Sequence, residues 1–312
     1  MTKIAVIQQP PVYLDLEKTM ARAIGLIEDA AQEGAGMVVF PEAWFSGYPT
    51  FVWRMAPGAG MTKTDELFAR LQASSIDLTR GGMAPLQEAA KEHGMVVVAG
   101  YQEIDGAVSG STLYNSCIII DADGEIANNH RKLMPTNPER MVWGFGDGSG
   151  LNVVDTAVGR IGALLCWENY MPLLRTTMYA KGTEIWCAPT VDARPVWQST
   201  MQHIALEGRC FVASACQYQA SPAEQGLDVD NWSKDTSLIS GGSVIIDPLG
   251  NILAGPLLEK EGMISADINM DDITKARYDM DVVGHYARPD VFELRVNETP
   301  RQSVTTFIEN ED

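Results

Sequence analysis

The sequence predicts an α/β fold with two similar β-sheets, and two observations carry this prediction. Strand-like apolar runs alternate with helix-like stretches along most of the 312 residues, and strands that are apolar on both faces are typical of covered sheets. The segment 117–126 also resembles the segment 243–252, because each has an apolar run, an Asp, a turn containing Gly and a second apolar run. Each segment predicts a β-hairpin. Two such hairpins favour a pseudo-symmetric fold with two sheets over one open nucleotide-binding sheet; two unrelated hairpins with common turn chemistry are the alternative.

The individual elements follow from hydrophobic spacing and from glycine and proline stops. A strand at 4–7 precedes a helix whose apolar positions recur at helical spacing over 20–30, with Gly34 and Gly36 as its stop. The remaining predicted elements are, in order, a strand at 37–40, a helix at 84–92, strands at 95–101, 114–121, 160–165 and 185–188, a helix at 198–207 and a strand at 210–217. The polar, acidic stretch 219–242 predicts a long surface loop, and such loops are often functional covers. No linker rich in Gly, Ser or Pro divides the chain, so we expect one domain over residues 1–312.

Composition excludes several classes of partner. The chain has 23 Lys and Arg against 41 Asp and Glu, a net charge of −18, which argues against binding to nucleic acid or to a membrane surface. No apolar run approaches the roughly 20 residues that span a bilayer, and the first residues read as a strand rather than as a secretory signal. An odd count of 5 Cys without paired spacing argues against a disulfide scaffold. We expect a cytoplasmic protein with reduced thiols.

Metal and nucleotide sites are not expected either. The histidines are scattered and fit no metal-ligand spacing; they are His93, His130, His203 and His285. His203 lies four residues before Glu207 on a predicted helix, which favours a surface pair. The glycine-rich stretch 146–150 lacks the lysine and the spacing of a phosphate-binding loop, so it predicts a turn. The sequence therefore indicates neither a metal nor an organic cofactor.

Cys166 is the candidate nucleophile. The other four cysteines lie in or beside apolar strand runs, where a small core side chain is the ordinary interpretation. Cys166 instead follows the strand at 160–165 and precedes a helix from about residue 171, and such a turn exposes a side chain beside backbone N–H groups. A thiol needs a base and a cation nearby. The candidate base is Glu42, which comes just after a buried strand, and the candidate cation is Lys132, which comes just after a hairpin. Each residue considered alone would be interpreted as an ordinary solvated charge.

Three segments together resemble the signatures of the nitrilase superfamily of carbon-nitrogen hydrolases, in the same order. They are FPEAWFSGYP at 40–49, HRKLMPT at 130–136 and CWEN at 166–169. The resemblance extends from about residue 5 to residue 290, and CAPT at 187–190 with WQS at 197–199 is most similar to the plant and related bacterial nitrilases. It implies a four-layer αββα sandwich with two mixed sheets and a C-terminal extension from about residue 285. It also implies a homo-oligomer, with a dimer as the building block and spirals or filaments as larger assemblies.

The resemblance also implies roles for individual residues. Cys166 matches the family nucleophile, Glu42 the general base and Lys132 the cation that stabilises the tetrahedral intermediate, while Glu139 matches a second glutamate beside them. Positions that line the substrate pocket in relatives match Tyr48, Trp143, Trp167 and, more weakly, Pro189. Ordinary core packing is the alternative for Tyr48 and Trp143.

The implied activity is hydrolysis of an organic nitrile to its carboxylic acid and ammonia through a covalent intermediate on Cys166. A cyanide hydratase or dihydratase and an aliphatic amidase of the same superfamily are the enzymatic alternatives, because they share these residues and differ in pocket and product. An inactive homologue that serves as a scaffold or binding protein is the non-enzymatic alternative, and the four intact polar residues argue against it. The residues do not distinguish aryl, arylaliphatic, aliphatic and cyano-amino acid nitriles.

Overall fold

Two mixed β-sheets form the centre of the computed structural model, which describes residues 1–53, 61–227, 236–302 and 304. The first sheet contains, in spatial order, β13 (Met263–Ile268), β1 (Thr2–Ile7), β2 (Ala35–Val39), β3 (Val96–Ile104), β4 (Leu113–Ile120) and β5 (Ile126–Arg131). The second contains β10 (Tyr218–Gln219), β11 (Ile239–Ile246), β9 (Phe211–Ser214), β8 (Ile185–Cys187), β7 (Gly159–Ala163) and β6 (Val153–Thr156), with β12 (Ile252–Leu258) paired to β11.

The two sheets repeat one pairing pattern. In the first, β1, β2 and β3 are parallel and β4 and β5 continue antiparallel. In the second, β7, β8 and β9 are parallel and β11 and β12 continue antiparallel. An antiparallel strand, β13 or β6, also flanks β1 or β7. The predicted pseudo-symmetry is therefore confirmed at the level of strand direction and order.

The two similar sequence segments form the equivalent hairpins β4–β5 and β11–β12. In both turns a glycine with positive φ, Gly124 at 86° and Gly250 at 83°, donates its N–H to the carbonyl of the aspartate that begins the turn, Asp121 or Asp247. Glycine adopts this backbone conformation at low cost because it has no Cβ. The sequence similarity between the halves thus reflects shared turn geometry.

Helices cover the outer face of each sheet. On the first sheet they are α1 (Leu16–Gln32) and α3 (Ala84–His93), and on the second α4 (Pro172–Ala180) and α5 (Val196–Gly208). The structure also describes α2 (Met61–Ala73), whose Leu71 packs with Tyr48, and α6 (Asp271–Ala276), whose Ile273 packs between the sheets. Alternate strand residues serve the two sides of a sheet: on β2, Val38 packs in the cluster with α1 and α3, whereas Met37 and Val39 pack in the cluster between the sheets. On β9, Phe211 faces that inner cluster, and Val212 packs with α4 and α5. The layers are therefore helix, sheet, sheet, helix, and the predicted αββα sandwich is confirmed.

Three details differ from the sequence prediction. Strand β5 extends to Arg131, so His130 and Arg131 lie within the strand rather than after the hairpin. This strand is hard to recognise because its buried positions, Asn128 and His130, are polar. The sequence also missed α2, β6, β13 and α6. The predicted loop 219–242 contributes Gln219 to β10 and its last residues to β11, while residues 228–235 lie outside the described part of the chain.

Candidate active site

Four of the predicted site residues converge where strands of both sheets end. Glu42 follows β2, Lys132 follows β5, Cys166 follows β7, and Glu139 lies on a 3₁₀ turn at Asn137–Met141. Each side chain belongs to a residue that is at least 97% buried, with exposures of 0%, 1%, 3% and 1% respectively. Buried charges are costly unless they are paired, so their contacts with one another determine their state.

Lys132 lies between the two carboxylates. Its Nζ donates to Oε1 of Glu42 at 2.7 Å and to Oε2 of Glu139 at 2.8 Å. Burial opposes the ammonium charge, but Glu42 and Glu139 outweigh it and hold the pKa of Lys132 well above its ordinary value. Lys132 is therefore a fixed cation in the centre of the site.

The two glutamates each accept three hydrogen bonds, two on one oxygen and one on the other. Glu139 accepts Lys132 and the Thr136 N–H at 2.6 Å on Oε2, and the Tyr48 hydroxyl at 2.6 Å on Oε1. Glu42 accepts Lys132 and Asn115 Nδ2 at 2.8 Å on Oε1, but its Oε2 accepts only the Val191 N–H at 3.1 Å. Since a carboxylate oxygen accepts two hydrogen bonds, Oε2 of Glu42 and Oε1 of Glu139 each keep capacity for one more donor.

Burial also shifts the ionisation of Glu42. Loss of hydration raises the pKa of this carboxyl group, the charge of Glu139 adds to the shift, and Lys132 and Asn115 oppose it. A carboxylate with a raised pKa is a stronger base than an exposed one, which is the property of a general base near neutral pH. The raised pKa therefore suits Glu42 to proton transfer, and the hydrogen bond that Glu139 accepts from Lys132 helps to hold the cation in place.

Cys166 occupies a strained turn after β7. Its φ is 47°, a left-handed conformation that is uncommon for residues other than glycine and that clusters at functional sites. Its N–H donates to the Pro189 carbonyl at 2.9 Å, and Asn169 Nδ2 donates to its carbonyl at 2.9 Å. Burial, together with Glu42, raises the pKa of the thiol well above its ordinary value, although Lys132 opposes this shift. The sulfur therefore rests as a neutral thiol beside a base.

A cleft of about 690 Å³ opens onto Cys166 and Glu139. Of the four residues predicted for substrate binding, Tyr48 and Trp167 line this cleft. Trp143 lies behind Tyr48, with ring centroids 5.5 Å apart, and its Nε1 donates to Gln102 Oε1 at 2.8 Å. Pro189 contributes its carbonyl to the Cys166 turn. A direct substrate contact by Trp143 or Pro189 stays a prediction.

One wall of the cleft is a polar group that orients Trp167. Asp192 Oδ2 accepts Trp167 Nε1 at 2.9 Å and the Arg194 guanidinium at 2.6 Å, and the guanidinium carbon lies 5.0 Å from the centroid of the Trp167 ring. Burial raises the pKa of Asp192, but hydrogen bonds from Arg194 and Trp167 outweigh it and hold the pKa below the ordinary value. Trp167, although 40% exposed, is therefore fixed against the cleft.

The backbone of Glu42 lies directly against β3. A Cβ added to Gly100 would lie 2.6 Å from the Glu42 Cα and would collide with the Pro41 carbonyl oxygen. We expect Gly100→Ala to cost about 1–3 kcal/mol of stability by overpacking. We also expect it to lower kcat by about 10²-fold, because Glu42 is displaced. Gly25→Ala is the control, since nothing lies within 4 Å of a Cβ at Gly25 and helix α1 gains about 0.5–1 kcal/mol. Equal kcat values for the two variants would contradict the prediction.

Sequence reasoning missed several polar groups of the site. Asn115 and the Val191 N–H donate hydrogen bonds to Glu42, and the Thr136 N–H donates one to Glu139. Asp192 accepts hydrogen bonds from Trp167 and Arg194. A signal existed for Asn115, because a buried polar side chain in an apolar strand requires a partner. No signal existed for Val191, whose contribution is a backbone N–H.

The described residues show neither a metal cluster nor a spanning helix. His, Cys, Asp and Glu side chains in this part of the chain form no group of three that could hold a metal ion. Helices here also lack the combination of length and hydropathy that crossing a bilayer requires.

Solved structures share this fold. A carbon-nitrogen hydrolase from Helicobacter pylori superposes with a TM-score of 0.70 at 20% identity, covering 93% of this chain and 96% of that one. The NitFhit protein of C. elegans superposes with a TM-score of 0.73 at 24% identity, covering 97% of this chain and 68% of that one. At these identities the likeness concerns the fold alone.

Sequence comparisons are more specific. An aliphatic nitrilase from Sinorhizobium fredii (strain HH103) is 47% identical, covering 98% of this chain and 99% of that protein. Nitrilase 1 of Arabidopsis thaliana is 44% identical over 97% of this chain and 89% of its own length. A bifunctional nitrilase/nitrile hydratase of Nicotiana tabacum is 45% identical over 95% of this chain and 86% of its own length. The model of the carbon-nitrogen hydrolase family matches residues 3–278. The chain therefore belongs to the carbon-nitrogen hydrolase family.

Proposed function

We propose that this protein is a nitrilase, which hydrolyses an organic nitrile to its carboxylic acid and ammonia. The observation that carries the proposal is the buried cluster of Cys166, Lys132, Glu42 and Glu139 at the end of an open cleft. Relatives named as nitrilases, at 43–47% identity over nearly the whole chain, support the same reaction.

The first half of the proposed reaction forms the covalent intermediate. Glu42 accepts the thiol proton as the Cys166 sulfur attacks the nitrile carbon, and the proton then passes to the nitrile nitrogen, which leaves a thioimidate. Because the resting thiol is neutral, this step needs a base near the sulfur, and Glu42 is the charged group with the largest effect on the pKa of the Cys166 thiol. Lys132 stabilises the negative charge that develops on nitrogen.

The second half consumes two water molecules. Glu42 activates the first, which adds to the thioimidate carbon to form a tetrahedral species with one hydroxyl and one amino group. Loss of ammonia from this species leaves a thioester on Cys166. The second water hydrolyses the thioester, releasing the carboxylic acid and restoring the thiol. No group other than the protein side chains and water is required by this sequence of steps.

An amide is a second product that the same intermediate permits. If the tetrahedral species expels the Cys166 sulfur instead of ammonia, the carbon keeps its nitrogen and leaves as the amide after one water. The bifunctional nitrilase/nitrile hydratase of Nicotiana tabacum, 45% identical, favours this possibility. The ratio of acid to amide therefore depends on whether Lys132 and Glu42 favour the departure of ammonia or of the Cys166 sulfur.

A panel of nitriles with quantified products tests the proposal. We expect ammonia and acid in equal amounts from at least one aryl, arylaliphatic, aliphatic or cyano-amino acid nitrile, with any amide measured separately by chromatography. Cyanide and simple aliphatic amides are included as substrates of the alternative enzymes. Turnover of cyanide or amides without turnover of any organic nitrile would overturn the nitrilase assignment.

Further properties are proposed on the family resemblance. We propose that residues 1–312 form one domain with a C-terminal extension from about residue 285, and that the protein is cytoplasmic. We also propose a homo-oligomer built from dimers. Sedimentation velocity tests the assembly, because a monomeric boundary at working concentration contradicts it.

The acid limb of the pH profile is expected to report the raised pKa of Glu42. The base must be ionised in the free enzyme, so kcat/KM rises with pH through an apparent pKa above that of an exposed glutamic acid. Glu139→Gln removes a negative charge that raises the pKa of Glu42, so the limb should move to lower pH even where the rate falls. Glu103→Gln is the control, because this buried carboxylate is not among the groups that shift Glu42. A limb that stays in place or moves upward in Glu139→Gln would refute this assignment.

A further inference from the structure

A single buried carboxylate connects the segment of Lys132 to the segment of Cys166. Glu168, 1% exposed, accepts the Leu133 N–H on Oε1 at 2.7 Å and the Leu165 N–H on Oε2 at 2.9 Å. Leu133 immediately follows Lys132, and Leu165 immediately precedes Cys166. Since Lys132 follows a strand of the first sheet and Cys166 a strand of the second, Glu168 bridges the two sheets at the two reacting groups.

His130 completes this bridge. Its Nε2 lies 3.1 Å from both oxygens of Glu168, and its side chain is fully buried. Nδ1 of the same ring has no hydrogen-bond partner, so the contact with an acceptor assigns a proton to Nε2. Burial opposes the charge of Glu168, but His130 and the two backbone N–H groups outweigh it and lower the pKa of the carboxyl group. The ionised form can accept all three donors.

Arg131, which lies between His130 and Lys132, provides a comparison for the contacts of the His130–Glu168 pair. Three consecutive basic residues each have their own buried carboxylate: His130 with Glu168, Arg131 with Glu103, and Lys132 with Glu42 and Glu139. Glu103 is 3% exposed and binds side chains of the first sheet. It makes no hydrogen bond to the backbone beside Lys132 or Cys166. The Arg131–Glu103 pair, with its carboxylate buried and its guanidinium partly exposed, therefore serves as a comparison without the bridging contacts.

We propose that His130 and Glu168 are positioning residues that set the place of Lys132 relative to the Cys166 sulfur. This inference rests on the proposed nitrilase function, since the spacing matters for the charge that develops on the nitrile nitrogen. Neither His130 nor Glu168 lines the cleft, and the hydrogen bonds of this pair join the two side chains to each other and to the Leu133 and Leu165 N–H groups. Their effect reaches the reaction through the backbone on which the two reacting side chains are mounted.

Glu168→Gln changes the bridge with little change in shape. The amide offers one acceptor oxygen, so one of the two backbone N–H groups meets an NH₂ group and its segment must shift. Displacement of reacting groups by about 1 Å costs about 10²-fold in rate. We expect kcat for nitrile hydrolysis to fall about 100-fold and KM to change less than about threefold, because Glu168 itself does not line the cleft.

His130 variants separate the hydrogen bond from the volume of the ring. Gln at position 130 can place its Nε2 near the position of the imidazole Nε2, so His130→Gln retains the donor to Glu168. His130→Leu keeps similar bulk and removes the donor, which leaves a buried carboxylate without that partner. We expect His130→Gln to stay within about fivefold of wild-type kcat and His130→Leu to approach Glu168→Gln.

The experiment measures KM and the maximal rate for one nitrile that the wild type turns over. The maximal rate is divided by the concentration of reactive thiol, titrated with iodoacetamide, to give kcat per thiol. This ratio distinguishes positioning from folding, because partial unfolding lowers the titratable fraction and not the rate per titrated thiol. Glu103→Gln is the control and should keep its kcat per thiol within about threefold, whatever its loss of thermal stability.

Two results would overturn the inference. One is a kcat per thiol in Glu168→Gln within threefold of the wild type; the other is an equal loss in Glu103→Gln, which makes the effect one of general core damage. If Glu168→Gln does not fold, the contrast between His130→Gln and His130→Leu decides, and equal values for the two contradict the proposal. Absence of nitrile turnover in the wild type would instead contradict the proposed function, so the two failures are distinguishable.

Discussion

Replacement of Cys166 by alanine is expected to reduce ammonia release from nitriles by at least about 10⁴-fold, because no other group can form the covalent intermediate. Fold and stability should change little, since the substitution removes one sulfur atom from a site that opens to the cleft. The measurement is ammonia release per folded protein, with folding checked by circular dichroism and thermal unfolding. The variant should still bind nitriles, because Tyr48 and Trp167 remain in place.

Cys210→Ala is the matched control for this experiment. Cys210 is also fully buried and unpaired, but it lies under helix α5 in the cluster on the outer side of the second sheet. Its replacement should leave kcat within about threefold and cost about 1 kcal/mol of stability. Turnover that survives in Cys166→Ala, or that disappears equally in Cys210→Ala, would show that Cys166 is not the nucleophile.

Replacement of Lys132 by methionine is expected to damage both activity and stability. The change removes the cation and leaves the carboxylates of Glu42 and Glu139 buried without it, and such a loss costs about 3–5 kcal/mol. Turnover should fall by at least about 10³-fold, because the developing negative charge loses its main partner. Urea unfolding gives the first quantity, and kcat from ammonia release gives the second.

A double variant separates the two losses. Lys132→Met with Glu139→Gln removes one negative charge together with the cation, so it should regain a large part of the lost stability but none of the activity. The pH dependence has a definite sign: an unpaired buried glutamate has a folded-state pKa above its unfolded value, so the stability deficit of Lys132→Met grows as pH rises through that interval. A double variant no more stable than Lys132→Met would contradict the pairing seen here.

Much of the fold could be predicted from the chain because its strands are apolar on both faces and its turns use glycine. Strands β2, β3, β4 and β8 lie within one to three residues of their predicted bounds, and the paired hairpins indicated the two sheets correctly. Strand β5 was harder to place, because Asn128 and His130 are polar and yet buried. Their burial depends on partners 22 and 38 residues further along the chain, which no local pattern contains.

The sequence by itself determined which residues could react: Cys166 after a strand, Glu42 and Lys132 at two other strand ends, and the ordered motifs that contain them. Only the tertiary structure decided how these groups are arranged, because their spacing depends on the packing of two sheets whose strands are distant in sequence. It placed Lys132 between two carboxylates and made Glu168 a bridge between the segments that contain Lys132 and Cys166. Burial raises the pKa of the Cys166 thiol, and burial is a property of packing that a residue's identity does not contain.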